Sequence, residues 1–141
     1  MNTLIVITGP TAVGKTELCI NIANEFHIPV INADSRQIYK ELRIGTATPS
    51  PQQLKSTKHY FIGTKSINDY YNASMYEQDV MSLLPFLFST SPYQLLSGGS
   101  MMYIDAVCNG IDDIPTIRED VRNLYKQRYE SEGLDALCQE L

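Results

Sequence analysis

The chain has 141 residues, enough for one domain with its own core, and its 43% hydrophobic and 19% charged content reads as a soluble globular protein. No stretch approaches the roughly 20 apolar residues of a membrane span, Met1-Asn2-Thr3 lacks the basic start of a signal peptide, and three scattered cysteines (Cys19, Cys108, Cys138) suit reduced thiols in the cytoplasm rather than disulfides or a zinc site. The net charge of −5 weighs against a nucleic-acid partner, but residues 1–60 carry six Lys/Arg against four Asp/Glu and residues 61–141 five against twelve, so charge leaves that question open.

Leu4 to Thr8 is an apolar run that predicts a buried strand. Gly9-Pro10-Thr11-Ala12-Val13-Gly14-Lys15-Thr16 follows, with the phosphate-loop spacing G-x-x-x-x-G-K-[ST]. Lys15 to Phe26 then carries the apolar spacing of a helix, which completes the strand–loop–helix context of that motif. Its glycines let the backbone approach a ligand closely, and its N–H groups, with the positive end of the helix, cradle phosphate oxygens. Lys15 supplies a point charge and the Thr16 hydroxyl is placed to hold Mg²⁺. The competing reading, a Gly-rich turn with a solvated lysine, has little to recommend it beside these flanks.

Ile28 to Ala33 predicts a second strand, parallel to and paired with the first through a right-handed crossover. Ligands in such sheets sit at the carboxyl ends of the strands, so Asp34 is expected to face the same crevice as the phosphate loop. There it serves as a general base, helps to organise Mg²⁺, or caps a helix, and the cap does not exclude the other roles. Ser35 to Leu42 predicts a short helix with Ile38 and Leu42 inward and Arg36, Lys40 and Arg43 on another face. That face is either ordinary solvated surface or a basic stripe for a polyanion.

Ile44 to Pro51 reads as a loop, and His59-Tyr60-Phe61-Ile62 as a short strand of undetermined direction. Ser74-Met75-Tyr76-Glu77 matches a capping box that opens a helix toward Leu84, with Pro85 expected to kink or end it. Tyr93 to Leu96 is the next core strand, stopped by Gly98-Gly99, and Ser100 begins a helix through about Cys108 that Gly110 closes. Thr116-Ile117-Arg118-Glu119 is a further capping box, Gly133 breaks the helix it opens, and Leu134, Leu137 and Leu141 suggest another. With only three convincing parallel strands and no closing signal, the chain reads as an incomplete α/β fold, a fragment. His27 reads as structural, whereas His59 is less decided.

The Leu95-Leu96 strand ends in Ser97-Gly98-Gly99-Ser100, where a nucleotide hydrolase of this type normally carries an Asp for Mg²⁺. Backbone N–H groups and a hydroxyl suit contacts to phosphate or base better than water activation. This favours small-molecule transfer chemistry.

Together the phosphate loop, Asp34-Ser35-Arg36-Gln37-Ile38-Tyr39-Lys40, Ile44-Gly45-Thr46-Ala47, Gly98-Gly99-Ser100 and Tyr103 resemble the tRNA dimethylallyltransferases (tRNA isopentenyltransferases), over nearly the whole chain to about Pro115. The resemblance implies a P-loop NTPase-like three-layer fold with a parallel sheet over residues 1–115, and the start of a helical insertion at 116–141. It implies transfer of a dimethylallyl group from dimethylallyl diphosphate to N6 of the adenosine beside the tRNA anticodon. Gly9 to Thr16 would hold the diphosphate, with Mg²⁺ on Thr16, and Asp34, Lys15 and Ser100 would be catalytic. Asp34, Ser35, Arg36, Gln37, Ser100 and Arg122 would contact tRNA, and the enzyme would be a cytoplasmic monomer away from membranes. Three positions depart from the family pattern: Thr48 stands in place of Lys, Tyr60 in place of a second His, and Gly63 in place of Asp. Family members are also about twice as long and carry a further arginine-containing motif absent here. Adenylate isopentenyltransferase, a small phosphate-loop kinase and a non-catalytic nucleotide- or RNA-binding module are the alternatives.

Overall fold

The computed structural model describes residues 1–111 and 117–140. The chain forms two compact units, Met1–Ile111 and Asp112–Leu141. The first holds strands β1 (Thr3–Thr8), β2 (Val30–Asn32), β3 (His59–Tyr60) and β4 (Tyr93–Gly98), with helices α1 (Lys15–Phe26), α2 (Pro51–Ser56), α3 (Ala73–Thr90) and α4 (Met101–Asn109). The second holds α5 (Glu119–Glu132) and α6 (Leu134–Glu140), tied by Arg128 to Glu132 and Glu140.

All four strands run parallel in the order β1-β4-β2-β3. Successive residues of a strand face opposite sides of the sheet. Val30 and Leu95 accordingly pack with Cys19 and Ala23 of α1, while Ile31 and Leu96 pack with Tyr76, Val80 and Ile104 of α3 and α4. β2 and β4 are thus covered on both faces, whereas the expectation of a buried first strand is corrected: β1 is an edge of the sheet, none of its residues is buried and Val6 is exposed, so its apolar run is only half covered. The three-layer parallel fold is the expected one. The expected pairing of the first two strands is corrected: β4 lies between β1 and β2. Gln94 to Ser97 are all buried, so the best-covered strand takes an interior place. His59 and Tyr60 pair parallel with Val30 and Ile31, which settles the direction of β3.

Residues 35–41 form turns, with Tyr39 bridged to Lys65, instead of the helix expected over Ser35 to Leu42. The Asp34 side chain accepts from the Arg36 and Gln37 N–H groups. The Ile38 carbonyl accepts from Thr64 and Lys65, and the Lys40 N–H donates to Lys65. These strand-like bonds take up groups that a helix would need. Ile38 is buried as expected, but Leu42 is exposed, and Arg36, Lys40 and Arg43 share no helical face.

Helix α2 was not anticipated from the sequence. Ser50 and Gln53 form a reciprocal capping box, with Pro51 in the first turn. Helix α3 is capped by Asn72, whose side chain accepts from the Met75 N–H at 2.9 Å, so Ser74 is not the cap. It also runs through Pro85 to Thr90. Pro85 and Met81 are both on the exposed side, where water can satisfy the carbonyl that a proline leaves without a donor. Gly110 and Gly133 close α4 and α5 as expected. Thr116 and Leu141 lie outside the described residues, and α5 itself begins at Glu119 with Arg118 preceding it. No described helix is long and apolar enough to cross a membrane.

Candidate active site

The loop between β1 and α1 wraps the start of the helix. Gly14 precedes α1 at φ 88°, a left-handed conformation that a Cβ disfavours. Ala12, at φ 66°, holds the same conformation with a side chain, a local strain of the kind that clusters at ligand sites. The first N–H groups of α1 have no intrahelical partner, so this end of the helix offers donors and a positive potential. The Lys15 ammonium donates to the Pro10 carbonyl and folds back over the loop.

A cavity of about 300 Å³ opens beside this loop. Thr11, Ala12, Gly14, Lys15 and Thr16 line it from one side, and Asp34 and Gln37 from the end of β2. Gly98 and Gly99 enter from the end of β4. The expectation that Asp34 faces the phosphate-loop crevice thus agrees with the geometry, across the intervening strand. Gly9, Pro10 and Val13 belong to the loop but not to the cavity wall.

Asp34 is held by its own turn. Oδ1 accepts from the N–H groups of Arg36 at 2.9 Å and Gln37 at 3.2 Å, whereas Oδ2 accepts from no described residue. The β4–α4 junction clamps the same turn from the other side. Ser100 Oγ accepts from the Ser35 N–H at 2.8 Å and donates to Ser35 Oγ at 2.9 Å, and the Ser100 N–H donates to the Ala33 carbonyl. This engagement explains why Ser100 makes no side-chain cap on α4. Gly98 permits the strands to meet: a Cβ there would lie 2.1 Å from the Ala33 oxygen.

The Gln37 amide donates to the carbonyls of Thr46 and Ala47, anchoring the loop before α2 over the cavity. Thr48, one of the departures from the family pattern, is hydrogen-bonded to the Thr46 hydroxyl. Arg36 is exposed, and Arg122 stands exposed on α5 in the second unit.

The sequence reading missed several residues of the wall. Cys19 lies one turn after Lys15 and Thr16 on α1, and its thiol donates to Ser97 Oγ at 3.1 Å. Burial pushes the Cys19 thiol up, against the smaller opposing effects of Ser97 and Lys15. Helical spacing from Lys15 could have found it. Asn32 of β2 and Gln53 of α2 line the cavity, together with Ser97 of the strand-end stretch already singled out in the sequence. His59 also lines the cavity, with Nδ1 2.9 Å from the Thr57 carbonyl. A carbonyl only accepts, so Nδ1 carries the proton in the neutral ring. Burial lowers the His59 pKa, and the Thr57 contact opposes this only in part.

Among the described residues no three acidic, His or Cys side chains cluster as a metal cage. Mg²⁺ does not require one, since it keeps several waters and shares its shell with substrate phosphates. The Thr16 hydroxyl and the Asp34 carboxylate are hard oxygen donors lining one cavity with the loop, a set that fits such an ion.

A parallel sheet flanked by helices, with a loop of phosphate-loop spacing and a clamped carboxylate lining one cavity at its strand ends, defines the class: a P-loop NTPase-like α/β protein. The family model for IPP transferase matches residues 37–141. Two relatives called tRNA dimethylallyltransferase 1 are 55% identical over all of this chain (Bacteroides thetaiotaomicron) and 57% identical over 99% of it (Bacteroides fragilis), each with 46% of the relative covered. The crystal structure of the tRNA isopentenylpyrophosphate transferase of Bacillus halodurans superposes with a TM-score of 0.76 at 27% identity, over 99% of this chain and 46% of that one. A eukaryotic dimethylallyltransferase captured acting on tRNA shares the fold, with a TM-score of 0.75 at 23% identity, over 92% of this chain and 36% of that one. This chain belongs to the IPP transferase family. It spans about half the length of the curated relatives it matches.

Proposed function

We propose that the protein transfers a dimethylallyl group from dimethylallyl diphosphate to N6 of the adenosine adjacent to the anticodon in tRNA. The observation that carries this reading is the placement of Lys15 and Thr16 in one cavity with Asp34, whose Oδ2 is unoccupied by any described donor. The names of the relatives support the substrate class.

In this mechanism the diphosphate lies on Gly9 to Thr16, against the loop N–H groups and the Lys15 ammonium. The adenine amine nitrogen attacks the allylic carbon, the bond from that carbon to the diphosphate oxygen breaks, and pyrophosphate leaves with the bonding pair. Asp34 Oδ2 takes the amine proton while Oδ1 stays on its two backbone donors. Lys15 and the helix N-terminus stabilise the charge that grows on the leaving group, which is electrostatic catalysis where charge develops. Mg²⁺, held by Thr16 with Asp34 nearby, would add Lewis-acid stabilisation of the same phosphates.

Ser35, Arg36, Gln37 and Ser100 border the acceptor side, and Arg122 belongs to the start of a helical insertion that also contacts tRNA. The target base must leave its stack to reach the cavity, as in other enzymes that act on bases. The enzyme works as a monomer, with residues 1–115 as its phosphate-loop core and 116–141 as the beginning of the insertion.

Calorimetric titration with dimethylallyl diphosphate and separately ATP, in Mg²⁺, tests the donor assignment. The expected result is tighter binding of the prenyl diphosphate, weakened by Lys15→Ala by about 10- to 100-fold, the scale of one charge-assisted contact. Tighter ATP binding would instead make the protein a kinase.

A further inference from the structure

Gly98 and Gly99 are adjacent in sequence but are glycines for different reasons. Gly98 is required by the fold, since a Cβ would lie 2.1 Å from the Ala33 oxygen and 2.8 Å from the Ala33 Cα. Backbone atoms of a paired strand cannot yield that far. Gly99 is under no such constraint. Its φ is not in the left-handed range, and an added Cβ would meet one atom within 4 Å: Asp34 Oδ2, at 3.7 Å, an ordinary van der Waals distance. Packing and backbone conformation therefore both accept a methyl group at Gly99.

The atom that this methyl would face is the Asp34 oxygen left without a donor, since Oδ1 holds the Arg36 and Gln37 N–H groups. Gly99 is fixed in that place from both sides. Gly98 is in register with Thr8 of β1, and the Ser100 N–H and hydroxyl are bonded to Ala33 and Ser35. The gap in front of Oδ2 is thus built by the β4–α4 junction and is not left to a mobile side chain.

We infer that Gly99 lacks a side chain to keep the approach to Asp34 Oδ2 open to the incoming acceptor amine. The inference rests on the proposed role of Asp34 as base. A proton donor must come within about 2.6–3.2 Å of the base. A methyl carbon at 3.7 Å fills part of the space from which the flat base of a nucleoside reaches that oxygen. Position 99 selects for acceptors at the level of access, while the fold is indifferent to it.

The test compares Gly99→Ala, Gly98→Ala and Asp34→Asn in the full-length gene product. Melting temperature, dimethylallyl diphosphate affinity and turnover on tRNA are measured for each. Gly99→Ala is expected to melt within about 4 °C of the parent, since a glycine replaced at a compatible backbone position changes stability little. It should bind the donor as the parent does and lose about 100-fold in turnover on tRNA, the lower end of a general base's contribution. Gly98→Ala should be destabilised, with a large drop in melting temperature. Gly99→Ala turning over tRNA at the parent rate, while Asp34→Asn is inactive, would overturn the access role and leave the base assignment standing. A Gly99→Ala protein as unstable as Gly98→Ala would overturn it too, by making Gly99 a fold requirement. Full activity in Asp34→Asn would remove the base assignment itself, and the inference with it.

Discussion

Replacing Ser100 with alanine separates a residue that positions the base from one that only touches tRNA. The side chain makes two hydrogen bonds, both to Ser35: it accepts from the backbone N–H at 2.8 Å and donates to the hydroxyl at 2.9 Å. Alanine removes both and leaves the Ser35 N–H, in a half-buried turn, with no described acceptor. A stranded buried donor costs about 1–3 kcal/mol, and the partial burial here places the loss toward the lower part of that range. The turn that loosens is the one carrying Asp34, and small displacements of a catalytic group cost about 10- to 100-fold in rate. Urea denaturation should therefore show a lower midpoint with an unchanged slope, and kcat on tRNA should fall while donor affinity holds. Ser100→Thr, which keeps the hydroxyl, should recover most of both. If Ser100→Ala left the urea midpoint and kcat untouched and raised only the KM for tRNA, the clamp would be irrelevant and Ser100 would be a contact residue.

His59 and Asn72 provide further checks. Burial depresses the folded-state pKa of His59 below its ordinary value of 6.5, so the unfolded chain binds the proton more readily. Its contribution to stability is present above pH 6.5 and is lost as the pH falls through the folded pKa. His59→Asn should flatten that part of the stability–pH curve, and a slope unchanged by the substitution would count against the assignment. Asn72→Ala removes the acceptor for the Met75 N–H and should cost about 0.5–2 kcal/mol by thermal denaturation. Ser74→Ala, by contrast, should be nearly silent.

What the sequence disclosed and what it hid follow the range of the interactions involved. Helix α1 was legible to the residue, because the motif and the apolar spacing that define it lie within one short stretch. The meeting of Asp34 with the phosphate loop was legible from a general rule about strand ends. That β4 lies between them was not: the strand itself was legible at Tyr93 to Leu96, but it comes far downstream of β1 and β2, and nothing near Leu4 or Val30 announces its place. The turns at 35–41 were misread for the same reason: local spacing favours a helix, but Lys65 takes their backbone groups. Helix α2 and the Asn72 cap were legible in principle. Ser50-Pro51 with Gln53 is a helix start of the same kind as the one sought at Ser74, and Asn72 is a stronger cap lying two residues before it. Gln53 joins the cavity only through α2, so no local pattern could have assigned it, and His59, left undecided in the sequence, joins through β3.

Asp34→Asn tests whether Asp34 acts as the base in the cavity it shares with the phosphate loop. Asparagine keeps an acceptor for the Arg36 and Gln37 N–H groups, so the turn should survive and circular dichroism should be unchanged. Single-turnover transfer from dimethylallyl diphosphate to tRNA, with both substrates saturating, should then slow by about 10²–10⁴-fold while donor binding stays at the parent level. Transfer at the parent rate in a correctly folded Asp34→Asn protein would show that Asp34 is not the base.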